Sequence, residues 1–223
     1  MARDFTGTKR ISNTGGSGFG INGHPYTMFA RGRRASTTTE GYSLAWCPTA
    51  GGIISGDSIA IGYKGDSGVL MRQRFVNGSG GGEYQGSVVY SANTWYAVTG
   101  VGSGTTSHDG WGDQTKASSA TSLAWLAHPP DSMSIGCFSV ASGGALSFSA
   151  YLEGMACSAA IWATALTDDE IKCLAKGFSP RRVRPQSLRF YAPLVRNVQD
   201  VIGAIALTDN GSVAYDHPRA YGF

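Results

Sequence analysis

Apolar residues in this chain recur mostly at every second position. Tyr26, Met28 and Ala30 fall on one side of a segment, and Ile59, Ile61 and Tyr63 face away from Ser58, Ala60 and Gly62. Leu146, Phe148, Ala150 and Leu152 alternate with Ser147, Ser149 and Tyr151, and Met155, Cys157, Ala159 and Ile161 continue the pattern. Leu188, Phe190, Ala192 and Leu194 form another run, with Arg189 and Tyr191 facing out. A period of two with one apolar face is what a half-buried antiparallel strand requires. Such runs return about every 10–15 residues, separated by Gly, Ser, Asn and Asp. The segments between them are too short and too glycine-rich to be crossover helices, which argues against a parallel sheet.

One stretch breaks the rule. From Ile161 to Pro180 the sequence predicts a single short helix over 168–176. Thr167 stands as N-cap with Glu170 three residues on, a capping box, and Leu166 with Ile171 forms a hydrophobic staple. Ile171, Leu174 and Ala175 share one apolar face. Gly177 supplies a left-handed stop and Pro180 prevents resumption. So narrow an apolar face must lie against something larger, and the strand-rich remainder predicts a β-sandwich.

Composition supports that expectation. The 223 residues suit one large β-domain or two small ones, and all-β sandwiches of this size are routinely one. Glycine occurs 32 times, about twice the average usage, scattered as in tight turns, with Gly15 to Gly20 and Gly78 to Gly82 read as loops. The segment after Gly177–Pro185 still carries strand patterning, so residues 177–223 are expected to return as a basic extension to the same sandwich, making 1–223 one domain. No secretory leader and no apolar stretch near membrane-spanning length are recognised. Cys47, Cys137, Cys157 and Cys173 have no metal-type spacing and are read as reduced thiols of a protein made in a cytoplasm.

The net charge of +3 is unevenly spread. Lys9, Arg10, Arg31, Arg33 and Arg34 lie between Asp4 and Glu40 with no acid among them. Lys172, Lys176, Arg181, Arg182, Arg184, Arg189 and Arg196 lie between Glu170 and Asp200, again with no acid. The span from Glu40 to Glu170 holds 11 acids against 4 bases, a balance of −7. Either these charges simply solvate loops, or the two basic ends form one surface for an acidic partner.

Candidate chemistry is thin. Gly56-Asp57-Ser58-Ile59 and Gly65-Asp66-Ser67-Gly68 imitate nucleophile loops. A serine needs an imidazole base oriented by an acid, and neither His24, within Gly-His-Pro, nor His217, directly after Asp216, stands in a fitting context. A glycosidase needs two converging carboxylates, yet the cluster Asp168-Asp169-Glu170 is explained by helix capping. Asp109 and Asp113, flanking Gly110-Trp111-Gly112, offer calcium-type oxygens or merely a turn. Gly16-x-Gly-x-Gly20 does not open a helix and fails as a dinucleotide loop. No catalytic residue, metal ligand or cofactor is assigned. Trp46, Trp95 and Trp162 lie in strand-like runs and are read as core; Trp111 and Trp125, in looser sequence, are read as partner contacts.

Several segments resemble the concanavalin A-like, laminin-G-like jelly-roll family. Phe5-Thr-Gly-Thr with Ile11 resembles its opening strand, and Pro25-Tyr-Thr-Met-Phe-Ala-Arg its second. Asn93-Thr-Trp-Tyr-Ala-Val-Thr-Gly-Val and Ser134-Ile-Gly resemble later strands. Ile161-Trp-Ala-Thr-Ala-Leu-Thr-Asp-Asp-Glu-Ile resembles the family's W-x-x-A-L-T-D-x-E-I helix. The acidic residue that many members carry shortly before that Trp is missing from Ala156-Cys-Ser-Ala-Ala-Ile, so no calcium or sugar site is carried over. The tail, Gly177-Phe-Ser-Pro-Arg-Arg-Val-Arg-Pro followed by Leu188-Arg-Phe-Tyr-Ala-Pro-Leu-Val-Arg, resembles jelly-roll proteins of bacteriophage virions.

The resemblance implies an all-β, two-sheet antiparallel jelly roll, and the lack of a fitting catalytic set points to a non-enzymatic role. Its expected role is that of a virion structural protein, a capsid decoration (cement) protein or a surface-projecting head or tail component. Its partner would be the major capsid or another virion structural protein, with self-association and without nucleic acid or membrane. The alternative is a lectin-like module for host polysaccharide. Partner contacts are expected at Arg31, Arg33, Arg34, Arg181, Arg182, Arg184, Trp111 and Trp125.

Overall fold

The computed structural model describes residues 2–13, 19–35, 40–49, 58–65, 69–77, 80–85, 91–119, 129–142, 145–195 and 197–215, with backbone alone for 64–65, 69–77, 80–85, 117–119 and 141–142. In chain order the strands are β1 (Ala2–Asp4), β2 (Arg10–Asn13), β3 (Tyr26–Arg34), β4 (Gly41–Cys47), β5 (Ser58–Gly65) and β6 (Val69–Asn77). There follow β7 (Gly80–Gln85), β8 (Trp95–Gly104), β9 (Ser107–Gly112), β10 (Thr115–Ser119), β11 (Ser132–Ile135) and β12 (Phe138–Ser142). The chain ends with β13 (Ala145–Ser149), β14 (Gly154–Trp162), helix α1 (Asp168–Ala175), β15 (Leu188–Ala192), β16 (Thr208–Asn210) and β17 (Val213–Tyr215).

The first sheet runs β10-β9-β8-β3-β14-β1-β17, and β15 also pairs with β14. The second runs β16-β2-β11-β4-β5-β6-β7, and β12 with β13 forms a separate hairpin. All pairings among the described residues are antiparallel. The last three strands join both sheets: β15 lies on β14, β16 on β2 and β17 on β1. Arg3 of β1 donates to Asp209 of β16 at 2.6 Å and so ties the sheets together at that edge.

The main core lies between the sheets. Tyr26, Met28 and Ala30 of β3 and Tyr96 and Val98 of β8 meet Leu44 and Trp46 of β4 and Ile59, Ile61 and Tyr63 of β5. Alternation sends the intervening side chains to the opposite face, but that face is not all wet. Phe29, Ala97, Val101, Trp111, Ala160 and Trp162 are covered by Leu166, Ile171, Leu174, Val183, Leu188 and Tyr191. On the far side, Tyr42, Ala45 and Ala60 pack under Phe138 of the hairpin. Strands expected to be half-buried are therefore buried on both faces where the helix or the hairpin lies over them.

The helix forms as its sequence specifies. The Thr167 hydroxyl accepts from the Glu170 N–H, Glu170 accepts from the Thr167 N–H at 2.8 Å, and Gly177 at φ +98° ends it. The Phe178 N–H to Cys173 carbonyl and Gly177 N–H to Leu174 carbonyl bonds make a Schellman stop. Its placement comes from Thr27, whose hydroxyl donates to the Thr164 carbonyl at 2.8 Å and accepts from the Leu166 N–H at 3.0 Å.

Three local expectations are corrected. The run Leu146 to Leu152 does not continue as one strand: β13 ends at Ser149, and Ala150 and Glu153 adopt positive φ. Tyr191 does not face solvent but sits under the helical layer. Leu188 and Phe190 do not share a face, because the β14–β15 register shifts between Ile161 and Trp162.

Candidate functional site

Two expected contact residues lie in the interior. Trp111 belongs to β9, not to a loop, and is 2% exposed. Its cross-strand neighbour Lys116 lies over the ring, 5.5 Å from the centroid, and bridges Asp109 at 2.9 Å and Asp168 of the helix at 3.2 Å. The hydrogen bond to Asp109 first, despite partial burial, raises the Lys116 pKa. Arg34 is 0% exposed. It follows Tyr26, Met28, Ala30 and Gly32 on the inward face of β3, with its guanidinium 5.4 Å from the Tyr63 ring centroid. Side chains so placed offer no surface to a partner.

Two further arginines serve the helical layer. Arg184 grips Glu170 through Nε at 2.9 Å and Nη2 at 2.8 Å, and Nη1 donates to the Ala165 carbonyl at 3.3 Å. Arg31 donates from Nη1 to the Ala175 carbonyl at 3.2 Å, where cationic charge meets the negative end of the helix dipole. Arg33 is half-buried on the same face as Arg31, and Arg181 and Arg182 are exposed in the turn Pro180–Arg182. The six arginines thus do not make one basic surface. Trp125 lies outside the described residues.

Trp95 exchanges places with Trp111. Read as core, it is half-exposed at the first position of β8, on the outer face, because Tyr96 takes the inward place. Its position two residues after Asn93, a turn-forming residue that here adopts φ +62°, is the sequence signal for a strand end.

The imitated catalytic motifs have structural roles where they are described. Ser58 is buried, and its hydroxyl donates to the Ser139 carbonyl at 2.8 Å; Ser67 and His217 lie outside the described residues. Burial pushes the Cys47 thiol up to about 12 and the Cys137 thiol up to about 11, so both are held protonated. None of the four cysteines is disulfide-bonded. Asp113 does not join Asp109 in a calcium loop: at φ +48° it closes the β9–β10 turn and accepts from the Ala97 N–H at 2.8 Å. No cluster of three metal-ligating side chains occurs among the described residues.

Outside the helix footprint, the first sheet presents a row set by its ladder register. Trp95 pairs with Arg33, Arg33 with Met155, Met155 with Asp4, and Asp4 with Val213. The row crosses β8, β3, β14, β1 and β17 on one face.

No family model matches the chain, and no curated protein matches it. Among solved structures it is similar to the native heptameric SAP-like pentraxin of Limulus polyphemus, with a TM-score of 0.65 and 14% identity over 95% of this chain and 93% of that one. A putative carbohydrate-binding protein of Bacteroides ovatus gives a TM-score of 0.67 and 18% identity over 99% of this chain and 61% of that one. Tailspike protein 2 of Escherichia coli O157:H7 bacteriophage CAB120 gives 0.53 and 14%, over 83% of this chain and 25% of the tailspike. At these identities the likeness establishes the fold. The chain is an all-β, two-sheet antiparallel jelly-roll sandwich.

Proposed function

We propose that the protein is a non-enzymatic binding module that recognises carbohydrate through the open part of its first sheet. The observation that carries this is the row on that face, in which a half-exposed indole at Trp95 stands beside the guanidinium of Arg33 and the thioether of Met155. Aromatic faces pack against sugar rings while nearby polar groups fix orientation. The likeness to a putative carbohydrate-binding protein supports the same reading. A glycan array spanning bacterial polysaccharides tests it. Saturable binding to at least one class is expected; a blank array overturns it.

A second reading is favoured by the similarity to a phage tailspike and by the tail sequence that resembles virion proteins. Here the protein is a structural component of a virion, a capsid decoration protein or a surface-projecting head or tail part. It would be assembled in a bacterial cytoplasm and held to the major capsid or another virion protein as a homo-oligomer. The solvent-facing Arg181 and Arg182 are the contacts this reading favours. Mixing purified protein with undecorated shells is expected to give saturable binding at a fixed copy number per shell; no binding overturns this reading and leaves the first intact.

A further inference from the structure

The helical layer covers only part of the outer face of the first sheet. Its limit is Arg31, which reaches the last turn of α1 at the Ala175 carbonyl. One step further along β3 comes the row Trp95, Arg33, Met155, Asp4, Val213. Their chain neighbours Tyr96, Arg34, Ala156 and Phe5 are buried inward, so the first four point the other way, and Val213 shares their face through its pairing with Asp4. With neighbouring strands about 4.8 Å apart, five strands make a strip roughly 19 Å long, the span of a short oligosaccharide. Val213 and Tyr215, 44% and 48% exposed, form its apolar end on β17.

The charges on this strip do not cancel. Asp4 is held by Lys9 at 2.7 Å. Arg31 is engaged by the helix carbonyl and lies within electrostatic reach of Asp113. Arg33 has its Nη2 3.7 Å from Met155 Sδ and no carboxylate partner among the described residues. One guanidinium is therefore left over, between an indole and a thioether. A guanidinium fork matches a carboxylate through two parallel hydrogen bonds, and an indole supplies a flat apolar surface.

We infer that this strip binds a carboxylated polysaccharide, a chain of uronate- or sialate-type sugars, with one sugar carboxylate on Arg33 and an adjacent ring against Trp95. This rests on the carbohydrate-binding reading above and names its ligand class and site.

Affinity electrophoresis of the full chain tests it, in gels containing polygalacturonate, hyaluronate or polysialate, with dextran as the neutral comparison. Retardation by at least one carboxylated polymer is expected, weakening as salt rises. Arg33→Ala and Trp95→Ala should each weaken it about tenfold or more, and Arg33→Lys should restore only part, because a lysine cannot make the bidentate pair. Both side chains are half-exposed, and unchanged circular dichroism of each variant confirms folding. Binding to neutral glycans on the array without retardation by any carboxylated polymer overturns the acidic assignment but leaves the carbohydrate reading standing. Retardation that survives both alanine variants overturns the site. Failure of array and gels together overturns both.

Discussion

Arg184 holds Glu170 through two parallel hydrogen bonds, at 2.9 and 2.8 Å, and so fixes the first turn of α1 to the segment that follows the helix. The same carboxylate accepts from the Thr167 N–H, so one side chain serves both the cap and the tertiary pair. Arg184 itself sits at φ +43°. Arg184→Ala is expected to cost about 1–2 kcal/mol, since the pair is bidentate but about a quarter exposed. Arg184→Lys should recover little of it. Urea unfolding of the three proteins is the check.

The same pair predicts an acid-side loss. Burial pushes the Glu170 carboxyl up, but the Thr167 N–H and the Arg184 fork outweigh it and hold the pKa below the usual value of 4.5. A carboxylate depressed in the folded state stabilises above its unfolded pKa and loses that contribution as pH falls through the folded one. Wild type should therefore lose stability relative to Glu170→Gln as pH drops below about 4.5, measured as the difference in urea midpoint.

A second pH effect comes from His24 and His108, whose rings lie 5.4 Å apart. Burial, with His108 beside it, pulls His24 down to about 4, and burial likewise lowers His108. Imidazoles kept neutral in the fold contribute fully above their unfolded pKa of 6.5, and stability falls as pH drops from there towards 4. The loss should be on the order of 2 kcal/mol after discounting for partial exposure. It should shrink in His24→Gln, as read from melting temperatures between pH 7 and 4.

Asp200 organises the return of the chain after β15. Its Oδ1 accepts from the Tyr191 and Ile202 N–H groups, both at 3.0 Å, and Oδ2 from Gly203 at 2.8 Å and Ile205 at 3.1 Å. Asp200→Ala leaves two buried donors, the Tyr191 and Ile205 N–H groups, unsatisfied and should cost about 3 kcal/mol or more. Amide hydrogen exchange at Ile202, Gly203 and Ile205 should accelerate most.

Trp162 is fully buried beneath the helical layer and donates Nε1–H to the Val183 carbonyl at 2.8 Å. Trp162→Phe keeps much of the packing but orphans that carbonyl, and should cost about 1–3 kcal/mol in thermal unfolding.

The helix was fully legible because its signals are local: Thr167, Glu170, Gly177 and the 171/174/175 spacing act within one another's reach. The two-sheet sandwich followed from alternation. What escaped the sequence was which strands carry a second buried face. Phe29, Trp111 and Tyr191 are buried by a layer whose placement depends on Thr27 and Trp162, far away in the chain. For the same reason Arg34 and Arg184, which read as surface charge, are structural, while Trp95, which read as core, stands at an open strand end. Asp200, in Asp-Val-Ile-Gly, carried an aspartate-turn signal that alternation arguments pass over. The row on the first sheet depends on the register of five strands, and no local pattern encodes that.

The most direct test of the account is an amide NMR titration of the folded protein with fragments of a polysaccharide retained on the array, with product analysis alongside. The account predicts saturable shifts gathered at Arg33, Trp95 and Met155, and intact fragments afterwards. Shifts confined to another face, or new reducing ends in the fragments, would contradict it.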